Sequence, residues 1–157
     1  MVSKVEPMSK VKKAVKCFED GYNCSQAIFA TYGKEFGISP DQAFKIASGF
    51  GGGMRIDGTC GAVTGAFMVL GLKFAKGKDK PYDKIIKFAE TFRRKNKSTD
   101  CRTLIGCDIR TKEGMDKATN KGLFRSVCSQ LVKDSAEILE TMLTDYGEQS
   151  RTNDSSD

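Results

Sequence analysis

The sequence predicts an all-α protein, a compact bundle of five or six helices with a glycine-rich loop before the central helix. Three observations carry this. Apolar residues recur at helical spacing along most of the chain. No period-2 alternation of four or more residues bounded by turn signals stands out, so strands are not expected. Helix stop and start residues sit together, as in Gly37 followed by Ser39-Pro40-Asp41, a C-cap and then an N-cap with proline at the first helical position. At 157 residues the chain is near the size of one ordinary domain. With 39% hydrophobic and 29% charged residues it has the composition of a folded globular protein.

The elements follow in order. Val11, Ala14, Val15 and Phe18 fall at i, i+3, i+4 and i+7, one face of a first helix whose other face carries Lys12, Lys13 and Lys16. Gly21 breaks the pattern, and Tyr22-Asn23-Cys24-Ser25-Gln26-Ala27 begins a second helix that runs to about Phe36. The third spans Pro40 to about Ser48 and meets Gly49-Phe50-Gly51-Gly52-Gly53. A fourth is expected from Thr59, a natural N-cap, to about Lys76, which puts Cys60 in its first turn. Its Gly61, Ala62, Gly65 and Ala66 make a small-residue face that lets another backbone come close. A fifth runs from about Tyr82 to Lys95 and a last, long one from about Leu123 to Asp145. Residues 1–146 are read as a single helical domain. Residues 147–157 carry no apolar side chain and are expected to be a disordered polar tail.

The N-terminus, Met1-Val2-Ser3-Lys4-Val5-Glu6-Pro7, has no apolar signal region. The longest apolar stretch, Cys60 to Leu72, is 13 residues with three glycines, too short for a bilayer span. A cytoplasmic location with no membrane span is the expectation, and there thiols stay reduced unless catalytic, redox-sensing or metal-bound.

Composition narrows the chemistry further. The chain has no histidine, which excludes Ser-His-Asp triads, histidine-ligated zinc, Rieske clusters and histidine-ligated haem, because each needs an imidazole. Lys plus Arg exceed Asp plus Glu by 26 − 20 = 6. The runs Arg93-Arg94-Lys95-Asn96-Lys97 and Lys73, Lys76, Lys78, Lys80 read as solvated helix ends, with docking of an acidic redox partner as the other reading. No nucleic acid is expected, because the aromatics fit the core pattern rather than a base-stacking platform.

Thiol is the functional group in surplus: Cys17, Cys24, Cys60, Cys101, Cys107 and Cys128. The gaps are 7, 36, 41, 6 and 21 residues with no C-x-x-C, so thioredoxin, rubredoxin and bacterial ferredoxin patterns fail. A disulfide framework is the alternative for an even count, but a chain this long builds a core without staples. Cys24, Cys60 and Cys101 each sit near a predicted helix start, where the dipole favours a thiolate. Cys128 lies in the first turns of the last helix. The glycines before Cys60 let backbone N–H groups approach an anion, although neither the Walker nor the dinucleotide spacing is present. The plainer reading is a tight turn before a closely packed helix. Arg55 and Asp57 flank the loop, either tuning a bound group or pairing with each other.

The segments Gly21-Tyr22-Asn23-Cys24-Ser25-Gln26-Ala27, Cys60-Gly61-Ala62-Val63-Thr64-Gly65, Cys101-Arg102-Thr103-Leu104-Ile105-Gly106 and finally Cys128 resemble the C_GCAxxG_C_C family of redox-active proteins. The resemblance runs from about Cys17 to Leu143. It implies an all-helical domain with Cys24, Cys60, Cys101 and Cys128 as the defining residues; Cys107 lies outside the four but, six residues from Cys101, is close enough in sequence to be an alternate ligand, and Gly58, Thr59 and Gly61 form the adjoining loop. The family is related to the iron–sulfur module of split-Soret cytochromes. With no C-x-x-C-H here, the haem half does not carry over.

The expected function is therefore electron transfer or redox sensing through a [2Fe–2S] or [4Fe–4S] cluster on four thiolates, rather than turnover of a substrate of its own. Zinc is the nearest rival; its structural sites pair their ligands closely in sequence, whereas 104 positions separate Cys24 from Cys128. A metal-free thiol–disulfide protein with Cys60 as attacking thiol, and a non-catalytic subunit of a redox complex, are the alternatives. A redox partner protein and a homodimer complete the expectations.

Overall fold

The computed structural model describes residues 6–152, with side chains described as far as Asp145. Within that range the protein is all helical, with isolated bridges Thr59–Asp100 and Lys76–Asp79 the extent of extended pairing. Eight α-helices are present among the described residues, more than the five or six expected: α1 (Lys10–Glu19), α2 (Cys24–Gly33), α3 (Pro40–Ala47), α4 (Gly61–Phe74), α5 (Tyr82–Asn96), α6 (Cys101–Ile105), α7 (Lys112–Asn120) and α8 (Ser129–Thr152). The two helices the sequence reading omits are α6 and α7. Five residues are too few to display a period, and the only apolar side chains of α7 are Met115 and Ala118.

Local capping chemistry fixes where the helices begin. Asn23 and Ser39 each form a capping box, the side chain accepting from the N–H of Gln26 or Gln42 while that glutamine accepts from the cap's own N–H. Gly37 and Gly106 adopt the left-handed conformation that ends the Lys34–Phe36 3₁₀ turn and α6. The fourth helix starts later than expected. Cys60, not Thr59, is its N-cap residue, because Thr59 is held extended in its bridge to Asp100.

The centre of the bundle is α2 against α4, both apolar around most of their circumference and buried accordingly. A Cβ on Gly65 would lie 2.7 Å from the Ser25 carbonyl oxygen and 3.1 Å from Ile28 Cβ, so this crossing requires glycine. Helix α8 packs across α1, α4 and α5. The buried Ser135 hydroxyl donates to the Ala62 carbonyl at 2.7 Å, and the Tyr32 hydroxyl lies 3.3 Å from the Ala136 carbonyl. Ile28, Tyr32, Val63, Leu70, Phe88, Phe92, Val132 and Leu139 make the main core. A satellite core of Ile105, Cys107, Ile109 and Ala118 lies under α6 and α7.

Helix α8 continues through Gly147 to Thr152, where the sequence reading places a polar tail; the rest of that tail, 153–157, lies outside the described residues. No helix of the described residues is long and apolar enough to cross a membrane.

Candidate functional site

Four separate pieces of chain converge on one cavity of about 600 Å³, and each brings a cysteine: Cys24, Cys60, Cys101 and Cys128 line it together. Cys24 is the first residue of α2. Its cap, Asn23, also donates through Nδ2 to the Ser48 carbonyl at 3.0 Å, and Gln26 donates to the Phe44 carbonyl at 2.8 Å. These bonds tie the start of α2 to α3 and to the loop that follows it. The loop lies directly on the cap: a Cβ on Gly51 would overlap the Asn23 side chain.

Cys60 and Cys101 are joined by backbone pairing. The Cys60 N–H donates to the Thr99 carbonyl at 2.8 Å and the Cys101 N–H donates to the Gly58 carbonyl at 3.1 Å. Two segments far apart in sequence thus deliver their cysteines side by side, Cys60 as N-cap residue of α4 and Cys101 as first residue of α6. Cys128 closes a π-helical turn, Phe124–Cys128, that leads into α8; such turns recur at functional sites because the wider backbone re-aims one side chain.

Cys24 and Cys60 are buried close enough for each thiol to perturb the other. A sulfur–sulfur hydrogen bond from Cys60, helped by the N–H groups of Gly52, Ser25 and Cys24 itself, outweighs burial and lowers the Cys24 thiol to about 6. The same hydrogen bond, with burial, raises Cys60 well above the ordinary thiol value. Burial first, then the negative charge on Cys24, pushes Cys101 up to about 11 and Cys128 up to about 12. Of the four, Cys24 is the thiol whose surroundings favour ionisation, while those of Cys60, Cys101 and Cys128 favour the protonated form. A bound cation releases those protons, since thiolate and not thiol is the ligand.

Among the described residues, no group of three or more Cys, Asp or Glu side chains is arranged to hold a metal ion. Cys17 is half-buried on α1 and absent from the cavity wall, and burial raises its thiol. Cys107 is buried in the satellite core rather than on the wall. Of the loop, Gly49, Gly51 and Gly52 line the cavity, while Gly58, Thr59 and Gly61 are not on its wall. Their roles there are concrete: Gly58 accepts from Cys101, Thr59 pairs with Asp100, and Gly61 leaves room for the Cys24 sulfur.

Arg55 and Asp57 do not pair with each other. Asp57 accepts from Arg102 at 2.8 Å, and Arg102 and Arg110 both bond Asp108, at 2.6 and 2.8 Å. Arg55 instead donates to the Ile109 carbonyl at 3.3 Å and lines the cavity. This charged lattice pins the loop to α6 and to the segment after it. Only Asp57-Gly58, a turn dipeptide, marks any of it in the sequence.

The ordering of these cysteines along a helical frame is that of a recognised family. The family profile described as "putative redox-active protein (C_GCAxxG_C_C)" matches residues 22–142. The chain belongs to the C_GCAxxG_C_C family. The match begins two residues before Cys24 and takes in Cys60, Cys101 and Cys128, so all four cavity cysteines lie inside it. What the match says of function is the family's own description, a redox-active protein, and nothing finer. No curated protein and no solved structure resembles the chain closely enough to count as a match.

Proposed function

We propose that the protein binds an iron–sulfur cluster in the cysteine cavity, through Cys24, Cys60, Cys101 and Cys128, and passes or senses electrons for a partner redox protein. The carrying observation is the convergence of four thiols from four separate segments of chain on one cavity wall. Four thiolates are the donor set of [2Fe–2S] and [4Fe–4S] clusters. The dispersal of the four cysteines over 104 positions argues against zinc, whose structural sites pair their ligands closely in sequence. Bound there, the cluster supplies one-electron chemistry. The chain's own part is to deliver four sulfurs, to exclude solvent from Cys24 and Cys60, and to turn the Gly52 N–H toward sulfur, where hydrogen bonding favours the reduced state.

Iron and acid-labile sulfide analysis of anaerobically purified protein tests this reading. The expected result is a brown protein with iron and sulfide in equal amounts. A colourless protein free of both, after anaerobic reconstitution as well as on purification, would overturn it.

One observation favours a second reading, the closeness of Cys24 to Cys60. A lowered thiol beside a second thiol is the arrangement of a dithiol redox pair. Oxidation by a partner disulfide would join the two sulfurs, release their protons and reduce the partner to a dithiol. Loss of two titratable thiols in a metal-free protein, mapped to Cys24 and Cys60, is the signature of that chemistry.

A further inference from the structure

The corner where α4 gives way to α5 carries an exposed apolar and cationic surface in which the cysteine cavity has no part. Helix α5 buries Phe88 and Phe92 completely, so its other face would ordinarily be polar. Instead Tyr82 and Ile86, neighbours at i and i+4, are 65% and 57% exposed there. Leu72 is exposed on the last turn of α4, at the other side of the same corner.

Between the two helix ends the chain makes one tight turn. The Asp79 N–H donates to the Lys76 carbonyl at 2.9 Å, and Gly77 takes φ +55°. Residues 75–80 are all exposed, and a Cβ on Gly77 would meet nothing within 4 Å, so the turn stands clear of the rest of the molecule. It is dense in charge of one sign. Residues 72–87 hold six Lys, no Arg and two Asp, a net 6 − 2 = +4 of the chain's +6. Among the described residues, Lys73, Lys76, Lys78 and Lys80 form no ion pair, whereas Lys84 pairs with Asp83 at 2.8 Å and lies over the Phe74 ring.

We propose that this corner docks the protein on an anionic lipid surface, with Leu72, Tyr82 and Ile86 entering the headgroup layer and the lysines meeting the acidic headgroups. Charge complementarity gives the sign of the partner, since clustered lysines are drawn to anionic lipid. Aliphatic side chains beside a tyrosine supply the shallow apolar anchor of an interfacial segment. A protein partner fits less well, because protein interfaces are depleted in lysine and enriched in arginine, and the corner has no arginine. Nor is the corner placed for a partner that exchanges electrons with the cysteines. Cys60 caps the opposite end of α4, with fourteen residues of helix, about 20 Å, between. The docking surface goes beyond the redox reading and does not depend on it.

Sedimentation of the full chain with vesicles tests this, using phosphatidylcholine alone and phosphatidylcholine mixed with phosphatidylserine. Binding is expected to the mixed vesicles only, and to weaken as salt rises. Lys78→Gln combined with Lys80→Gln is expected to weaken it by roughly twenty-five-fold, about fivefold for each lysine near an anionic surface. Lys12→Gln combined with Lys13→Gln removes the same charge from exposed positions on α1 and leaves binding almost unchanged. The chain has no Trp, so Tyr82→Trp supplies a single reporter whose emission shifts to the blue when mixed vesicles are added. Equal binding to both kinds of vesicle, no binding to either, equal losses from the two lysine pairs, or a Tyr82→Trp emission that does not move overturns the docking surface. Capture by soluble poly-glutamate or duplex DNA with none by vesicles overturns it too, and assigns the corner to another polyanion.

Discussion

A Cβ placed on Gly61 would overlap the Sγ of Cys24, so the first residue of α4 is glycine because the first residue of α2 is a buried thiol. The same Cβ would stand 2.9 Å from the Gly51 Cα and 3.0 Å from the Phe50 carbonyl oxygen. Backbone on one side and a fixed sulfur on the other leave nothing flexible to move.

Gly61→Ala is therefore expected to lower stability by about 1–3 kcal/mol, the usual range for overpacking, and to displace the Cys24 sulfur from Cys60. Gly53→Ala should also destabilise. Gly53 has φ +64°, and its Cβ would meet the Cys101 Cβ and the Gly58 carbonyl oxygen at 2.9 Å. Thermal unfolding of the two variants checks both, and unchanged melting temperatures would remove the close approach of the loop to α2 and α6.

Single Cys→Ser changes at Cys24, Cys60, Cys101 and Cys128 should each lower bound iron, while Cys17→Ser leaves it unchanged. Cys107→Ser should keep most of the iron but lose melting temperature, because the thiol is buried among Ile105, Ile109 and Ala118. Equal iron in all six variants would disconnect the cavity from metal.

Removing the Asp57–Arg102 pair by Asp57→Asn should cost under about 1 kcal/mol, since exposed ion pairs contribute little and asparagine tolerates the left-handed conformation. The loop it pins is another matter. Alkylation of Cys101 in the metal-free protein is expected to speed up, as Gly58 loses its hold on the Cys101 N–H. A substituted protein that alkylates at the wild-type rate would show that the ion pair does not restrain the site.

Asp108 gives the structure an acid-sensitive joint. Its hydrogen bond with Arg110, aided by the Arg110 N–H and by Arg102, holds the carboxyl well below the ordinary carboxylate range near 3.9. A carboxyl lowered on folding contributes stability that is present above its unfolded value and is lost as the pH falls through the folded one. Denaturant unfolding of the metal-free protein between about pH 6 and pH 3 should therefore show stability falling toward the acid end. Asp108→Asn should flatten that slope; identical slopes in the two proteins would contradict it.

The sequence by itself determined the helical class and the main helices, because those signals are local. The i, i+3, i+4, i+7 repeat of Val11, Ala14, Val15 and Phe18, the boxes at Asn23 and Ser39, and the stop at Gly37 all act within a few residues of themselves. The choice of four cysteines among six came from the resemblance of the segments around Cys24, Cys60 and Cys101, and of their order, to a known family. The sequence did not place α6 and α7, whose five and nine residues carry too few apolar positions to show a period. Nor did it place Cys60 at a cap rather than inside a helix, because Thr59 was claimed by Asp100, forty-one positions away. The pairing of Asp57 with Arg102 and the approach of Arg55 to Ile109 are likewise long-range. Only the tertiary structure decided them, since a side chain's partner across a fold is set by where two backbones meet, and no spacing along one backbone records that.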